Sequence, residues 1–150
     1  VFKLAVQCAS TQHRTQLPKR LLRTWVKAAC VDIEPWQSIE LTLRFVDLEE
    51  GRVLNRNYRG KDYATNVLTF AYEPMIAGAL LADIVFCDTV IEQEAITQGK
   101  ELLAHYAHLV VHGVLHAQGY DHERESDAKK MEALETALLA KLGYPNPYSF

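Results

Sequence analysis

The stretch HGVLHAQGYDH, His112 to His122, decides how the second half of this chain folds. His112 and His116 stand four residues apart, so on a helix they occupy one face on successive turns. Gly119 follows three residues later. Glycine takes the left-handed conformation that stops a helix and turns the chain back. Tyr120-Asp121-His122 then returns beside the final turn, bringing His122 toward His112 and His116. The expectation is a helix end at which three imidazoles converge.

Upstream, His105 and His108 continue the same stripe at helical spacing. His108 lies one turn further from the bend, roughly 6 Å along the axis. It is expected outside the ligand set, as an outer partner or packing residue, and His105 more firmly so. The helix carrying the stripe is expected to begin at Thr89, whose spacing to Glu92 fits a capping box, to bend or restart near Gly99, and to end near Ala117.

Further outward, Phe2, Leu4, Val6 and Cys8 alternate with polar or small residues, the period of a half-buried strand, and Ile39 to Phe45 do the same. Val67–Ala71 and Leu81–Cys87 read as two more strands, joined by a segment holding Pro74 and Gly78. Pro18 opens a helix that turns Leu22, Trp25, Val26 and Ala29 inward. A short helix is expected over 47–57, followed by the loop YRGKDYATN. A last helix runs from Ser126 to Leu142 with Met131, Leu134, Leu138 and Leu142 on one face, stopped by Gly143 and Pro145. The predicted class is α+β: a small mixed four-stranded sheet covered mainly on one face by helices, in the order β-α-β-α-β-β-α-α, with the metal site at the end of the long helix.

The chain has 150 residues, 49% of them apolar, which fits one domain, 1–150, with a real core. No apolar run approaches the ~20 residues needed to cross a bilayer, and no basic-then-apolar segment opens the chain. Cys8, Cys30 and Cys87 are odd in number and far apart, as expected of buried free thiols in a reducing compartment; the cytoplasm is the expected location. A net charge of −3 gives no global sign of nucleic-acid binding. Basic residues nonetheless cluster: Arg20, Arg23 and Lys27, then Arg52, Arg56, Arg59 and Lys61. Most such runs are solvated surface, but a local basic groove depends on where charges sit, not on their sum. Lys61 and the helix with Arg20, Arg23 and Lys27 are candidates for phosphate contact.

Three neutral imidazoles leave the charge of a divalent ion uncompensated and at least one coordination position open. Such a site favours an anionic ligand and acidifies bound water, and a phosphodiester suits it. Negative charge on the non-bridging oxygens of the transition state would be met by the metal and a guanidinium, for which Arg59 in YRGKD is the candidate. Asp121 is open to three readings: a partner holding an imidazole N–H, a proton acceptor, or a turn residue. The spacing also resembles the metzincin peptidase motif HExxHxxGxxH, but Gly113 stands where its general-base glutamate belongs.

From about residue 51 to 142 the sequence resembles the YbeY family of bacterial metal-dependent endoribonucleases. The resemblance rests on LNRNYRGKDYATNVLTF (Leu54–Phe70), on ADIVFC (Ala82–Cys87), and on HLVVHGVLHAQGYDH (His108–His122) followed by Met131 and Glu135. It implies that His112, His116 and His122 bind the metal, with zinc favoured and other divalent ions possible. It further implies that Arg59 is functionally important; with Asp121, on the residue-level reading above, the expected catalytic set is Arg59, His112 and Asp121. The implied substrate is single-stranded RNA, in maturation of the 16S rRNA 3′ end and in ribosome quality control. Small-subunit components, a GTPase or a ribosomal protein are the implied partners, and no membrane is involved. Ala64, Asn66, Ala71, Ala82 and Ala117 depart from the common family residues; none is a proposed ligand. Two other classes stay open: a non-catalytic ribosome-assembly factor with a structural metal, and a peptidase, disfavoured by Gly113.

Overall fold

A computed structural model describes residues 1–34, 37–73 and 77–149. The strands are β1 (Phe2–Cys8), β2 (Ile39–Val46), β3 (Val67–Tyr72) and β4 (Leu80–Cys87). The helices are α1 (Lys19–Ala29), α2 (Leu48–Arg59), α3 (Asp88–Gln98), α4 (Leu102–Ala117) and α5 (Glu125–Leu142), with a 3-10 turn at Arg14–Gln16. The sheet order is β1-β2-β4-β3; β1, β2 and β4 run parallel and β3 pairs antiparallel to β4. This is the mixed α+β sheet expected. Pro74 lies outside the described residues, whereas Gly78 takes φ +83° in the β3–β4 connection.

Pleating sends alternate strand residues to one face, where Leu4, Leu41, Leu43, Phe45, Ala82, Ile84 and Phe86 are buried against the helices. From the helix side come Leu22, Trp25 and Val26 of α1, Met131, Leu138 and Leu139 of α5, and much of α4. Each fully buried side chain of this size contributes about 1.5–3 kcal/mol. The opposite face is only partly covered. There α2 packs a smaller cluster of Val46, Leu68, Val85 and Cys87 with Leu54 and Phe70.

Three sequence expectations shift. The long helix restarts, with Gly99 at φ +65° ending α3 and α4 beginning at Leu102. Thr89 does not cap: α3 opens one residue earlier at Asp88, and the Thr89 hydroxyl donates to Gln12 Oε1. The Asp88 carboxylate is buried, where it accepts the Tyr106 hydroxyl at 2.5 Å. Finally, α2 runs two residues past 57, so Arg59 sits on its last helical turn rather than in a loop. Asp47 caps the start of α2 by accepting the Glu50 N–H at 2.9 Å, and Gly60 at φ +71° ends it.

All three cysteines are free; Cys87 is buried, while Cys8 and Cys30 are partly so. Burial pushes the Cys30 thiol up to about 12. Among the described residues no helix is long and apolar enough to cross a membrane.

Candidate metal centre

The core-facing side of α4 is continuously buried from Tyr106 to Leu115, which locks the helix onto the sheet. Gly113 lets it come that close, since a Cβ there would stand 2.8 Å from Ile84 Cγ2. The close approach also leaves no room for a glutamate beside His112. The histidine stripe lies on the flank: His105 is buried, His108 and His112 are partly buried, and His116 is exposed.

The end of α4 closes as a Schellman motif built on a single glycine. Gly119 N–H donates to His116 O at 3.0 Å and Tyr120 N–H to Leu115 O at 3.2 Å, with Gly119 at φ +99°. Gln118 pins this end to α1 by donating to Ala29 O at 2.6 Å. The returning chain places the His122 ring centroid 5.6 Å from that of His112 and 6.0 Å from that of His116; the His112 and His116 rings stack 6.3 Å apart.

Hydrogen bonds define the tautomers. His116 Nδ1 is 2.9 Å from Tyr120 O, and a carbonyl only accepts, so Nδ1 carries the proton. His112 Nδ1 is 2.7 Å from Glu135 Oε2, a carboxylate that likewise accepts. In its neutral form each ring then carries its lone pair on Nε2. Asp121 Oδ1 accepts the N–H groups of His122 at 2.6 Å and Glu123 at 3.2 Å, and these bonds hold its carboxyl below the usual range. The turn-residue arrangement is thus present, although ligand atoms of His116, Asp121 and His122 also lie within 4.8 Å of one another.

A second group shares that spacing: His108, His112 and Glu135. Sequence reasoning gave Glu135 no role. It lies on the buried face of α5 with 0% exposure. His112 donates to it, His108 Nε2 approaches the same oxygen at 3.3 Å, and the Tyr148 hydroxyl donates to Oε1. Burial pushes this carboxyl up, but the donors from His108, His112 and Tyr148 outweigh it and hold the group down at about 2. For His108 burial prevails over Glu135 and lowers its proton affinity. A sequence signal existed: Glu135 interrupts the apolar run Met131, Leu134, Leu138, Leu142, and a buried acid requires donors.

Arg59 lies across from the histidines. One cleft of about 520 Å³ is lined by Arg59, by Thr65–Thr69, and by His112, His116, Asp121, His122 and Glu123. Its second wall is held by Asn55, which is buried and donates to Tyr63 O at 2.6 Å, and by Asn66, whose amide donates to Glu94 Oε1 at 3.0 Å. The α1 cations stand elsewhere. Arg23 and Lys27 lie over the Phe2 ring at 4.5 and 5.2 Å, and Arg20, Arg23 and Lys27 do not line the cleft.

The donor groups that could hold a divalent ion divide the three expected histidines: His112 comes together with His108 and Glu135, and His116 with Asp121 and His122. With uncharged imidazoles the cleft offers one guanidinium against two carboxylates, a balance unfavourable to a polyanion unless a cation joins it. Fold and cleft together define a class: a small α+β protein with a histidine-rich site able to hold a metal.

Comparison with known proteins narrows the class. The family model described as Endoribonuclease YbeY matches residues 5–143. A protein of that name from Burkholderia ambifaria is 59% identical, covering 98% of this chain and 84% of its own. That from Paraburkholderia phymatum is 57% identical over 91% of this chain and 86% of its own. That from Herminiimonas arsenicoxydans is 54% identical over 98% and 95%. The solution structure of TM1509 from Thermotoga maritima shares the fold with a TM-score of 0.53 at 21% identity, each chain covered in full. The chain belongs to the YbeY endoribonuclease family.

Proposed function

We propose that this protein is a metal-dependent endoribonuclease that hydrolyses phosphodiesters of single-stranded RNA. Its setting is the cytoplasm, in 16S rRNA 3′-end maturation and ribosome quality control, with small-subunit components as partners. The observation that carries this reading is that Arg59 lines the same cleft as His112, His116 and His122.

His112, His116 and His122 would hold one divalent ion, zinc favoured, through imidazole nitrogens; His112 also counts in the catalytic set because it faces both the cleft and Glu135. A bound ion would supply Lewis acidity and a water more acidic than bulk. Arg59 meets the phosphate from the opposite wall. The last turn of α2 holds its backbone, and its guanidinium would offset charge on the non-bridging oxygens. Thr65–Thr69 line the channel along which an unpaired strand fits. Asp121 secures the His122 loop through backbone N–H groups and orients a water by hydrogen bonding; its low proton affinity makes it a weak base.

The test is cleavage of an rRNA fragment carrying the small-subunit 3′ end by wild type and His116→Ala, each with and without a chelator. Cutting by wild type only, abolished on chelation, is expected. A second reading, an assembly factor with a structural metal, draws on Asp121 lying within 4.8 Å of its histidine neighbours, where it would close the shell. Tight metal binding without cleavage of RNA or of assembled small subunits would favour it.

A further inference from the structure

Glu135 is a charged group in a place where stability alone favours an apolar one. It sits between Met131 and Leu138 on the buried face of α5, with 0% exposure. Desolvating a carboxylate is costly, and replacing a buried ionic group with a well-packed apolar side chain is often neutral or stabilising. The molecule nevertheless surrounds it with three donors. Tyr148, from the segment after α5, donates to Oε1, while His112 Nδ1 and His108 Nε2 address Oε2 at 2.7 and 3.3 Å.

The direction of these bonds is fixed. The Nδ1 of His108 is buried without a partner among the described residues, so a proton there would be a stranded donor; the proton sits on Nε2, which lies 3.3 Å from the Tyr148 hydroxyl and 3.3 Å from Glu135 Oε2. The Tyr148 ring packs edge-on against His108 at 5.4 Å, which holds its hydroxyl over the carboxylate. The only one of the three donors whose ring also lines the cleft is His112. The network therefore runs from Tyr148 and His108, through Glu135, to Nδ1 of His112, whose ring lines the cleft.

We propose that Glu135 is the positioning residue of the metal centre: it locks His112 in the Nδ1–H tautomer, presents Nε2 to the cleft and sets one negative charge behind otherwise neutral ligands, with Tyr148 as the latch that orients it. An imidazole hydrogen-bonded to a carboxylate is a stronger metal donor and loses less freedom on binding. Only the affinity part rests on the metal reading above; the tautomer part holds in the metal-free protein.

The experiment compares wild type, Glu135→Gln, Glu135→Leu and Tyr148→Phe in the full chain. Zn²⁺ affinity is read by competition with a chromophoric chelator, and the His112 tautomer by ¹⁵N shifts of the imidazole nitrogens without metal. Glu135→Gln and Glu135→Leu are expected to lose about 10–100-fold in affinity and to leave His112 a tautomer mixture. Tyr148→Phe keeps the carboxylate and should lose a smaller factor, in the same direction. Affinities of the Glu135 variants within about twofold of wild type, with the tautomer unchanged, would overturn the proposal. Should both Glu135 variants fail to fold, Tyr148→Phe decides, and an unaltered tautomer and affinity there reject the latch and the relay. If wild type binds no Zn²⁺ yet Glu135→Gln scrambles the tautomer, the metal reading falls while the orienting role stands.

Discussion

At the scale of single residues, Gly113 and Glu135 hold the site from opposite sides of α4. Gly113→Ala places a Cβ 2.8 Å from Ile84 Cγ2, so we expect a loss of about 1–3 kcal/mol in urea unfolding. Gly113→Glu should cost more and confer no casein digestion, because a side chain at this position meets the sheet. Cys30, with its thiol pushed up to about 12, should resist iodoacetamide at pH 8 in the native state and react once unfolded. The convergence of His112, His116 and His122 was legible because their pattern is local, with two of them a turn apart and a glycine to reverse the chain. Glu135 was not, because its meaning lies in partners from α4 and from beyond α5, although its place in an apolar stripe marked it as unusual.

At the scale of elements, the wall carrying Arg59 depends on how α2 ends and how the following loop is tied. Asn55→Ala removes the donor to Tyr63 O. The expected result is about 1–3 kcal/mol of lost stability and slower RNA cleavage, while Zn²⁺ affinity stays at the wild-type value, since the histidines sit on the other wall. Equal losses in affinity and rate would show that the walls are coupled. Strands and helix faces followed from apolar periodicity, and the restart at Gly99 from the glycine. The start of α3 did not follow, because Asp88 is drawn inward by Tyr106, a tertiary partner eighteen residues away. The extent of α2 was misjudged by two residues because Gly60, not residue 57, is the stop.

For the molecule as a whole, charge and acid response can be derived from the same groups. The cleft sets one guanidinium against two carboxylates, so chelation should weaken RNA binding as well as rate. Arg59→Ala should reduce the slope of log K against log salt by about 1; an unchanged slope would place the phosphate elsewhere. The folded Glu135 carboxyl, held at about 2, lies below its unfolded value of about 4.3. Its contribution to stability is therefore fully present above about pH 4.3 and lost as pH falls toward 2. Glu135→Gln should flatten acid unfolding across that window.

The strand order β1-β2-β4-β3 also bears on how the chain comes to be made. β4 is the last of the four described strands in the chain, yet it is the one that joins β2 to β3. A nascent chain ending before residue 80 holds a two-stranded parallel pair and a β3 with nothing to pair with, both presenting open strand edges. The sheet cannot grow outward from an early nucleus and must close in one late, long-range step. Ribosome-bound intermediates arrested before β4 should therefore be protease-sensitive and chaperone-bound, and protection should arise only once β4 and the helices α4 and α5 that cover the sheet have cleared the exit tunnel.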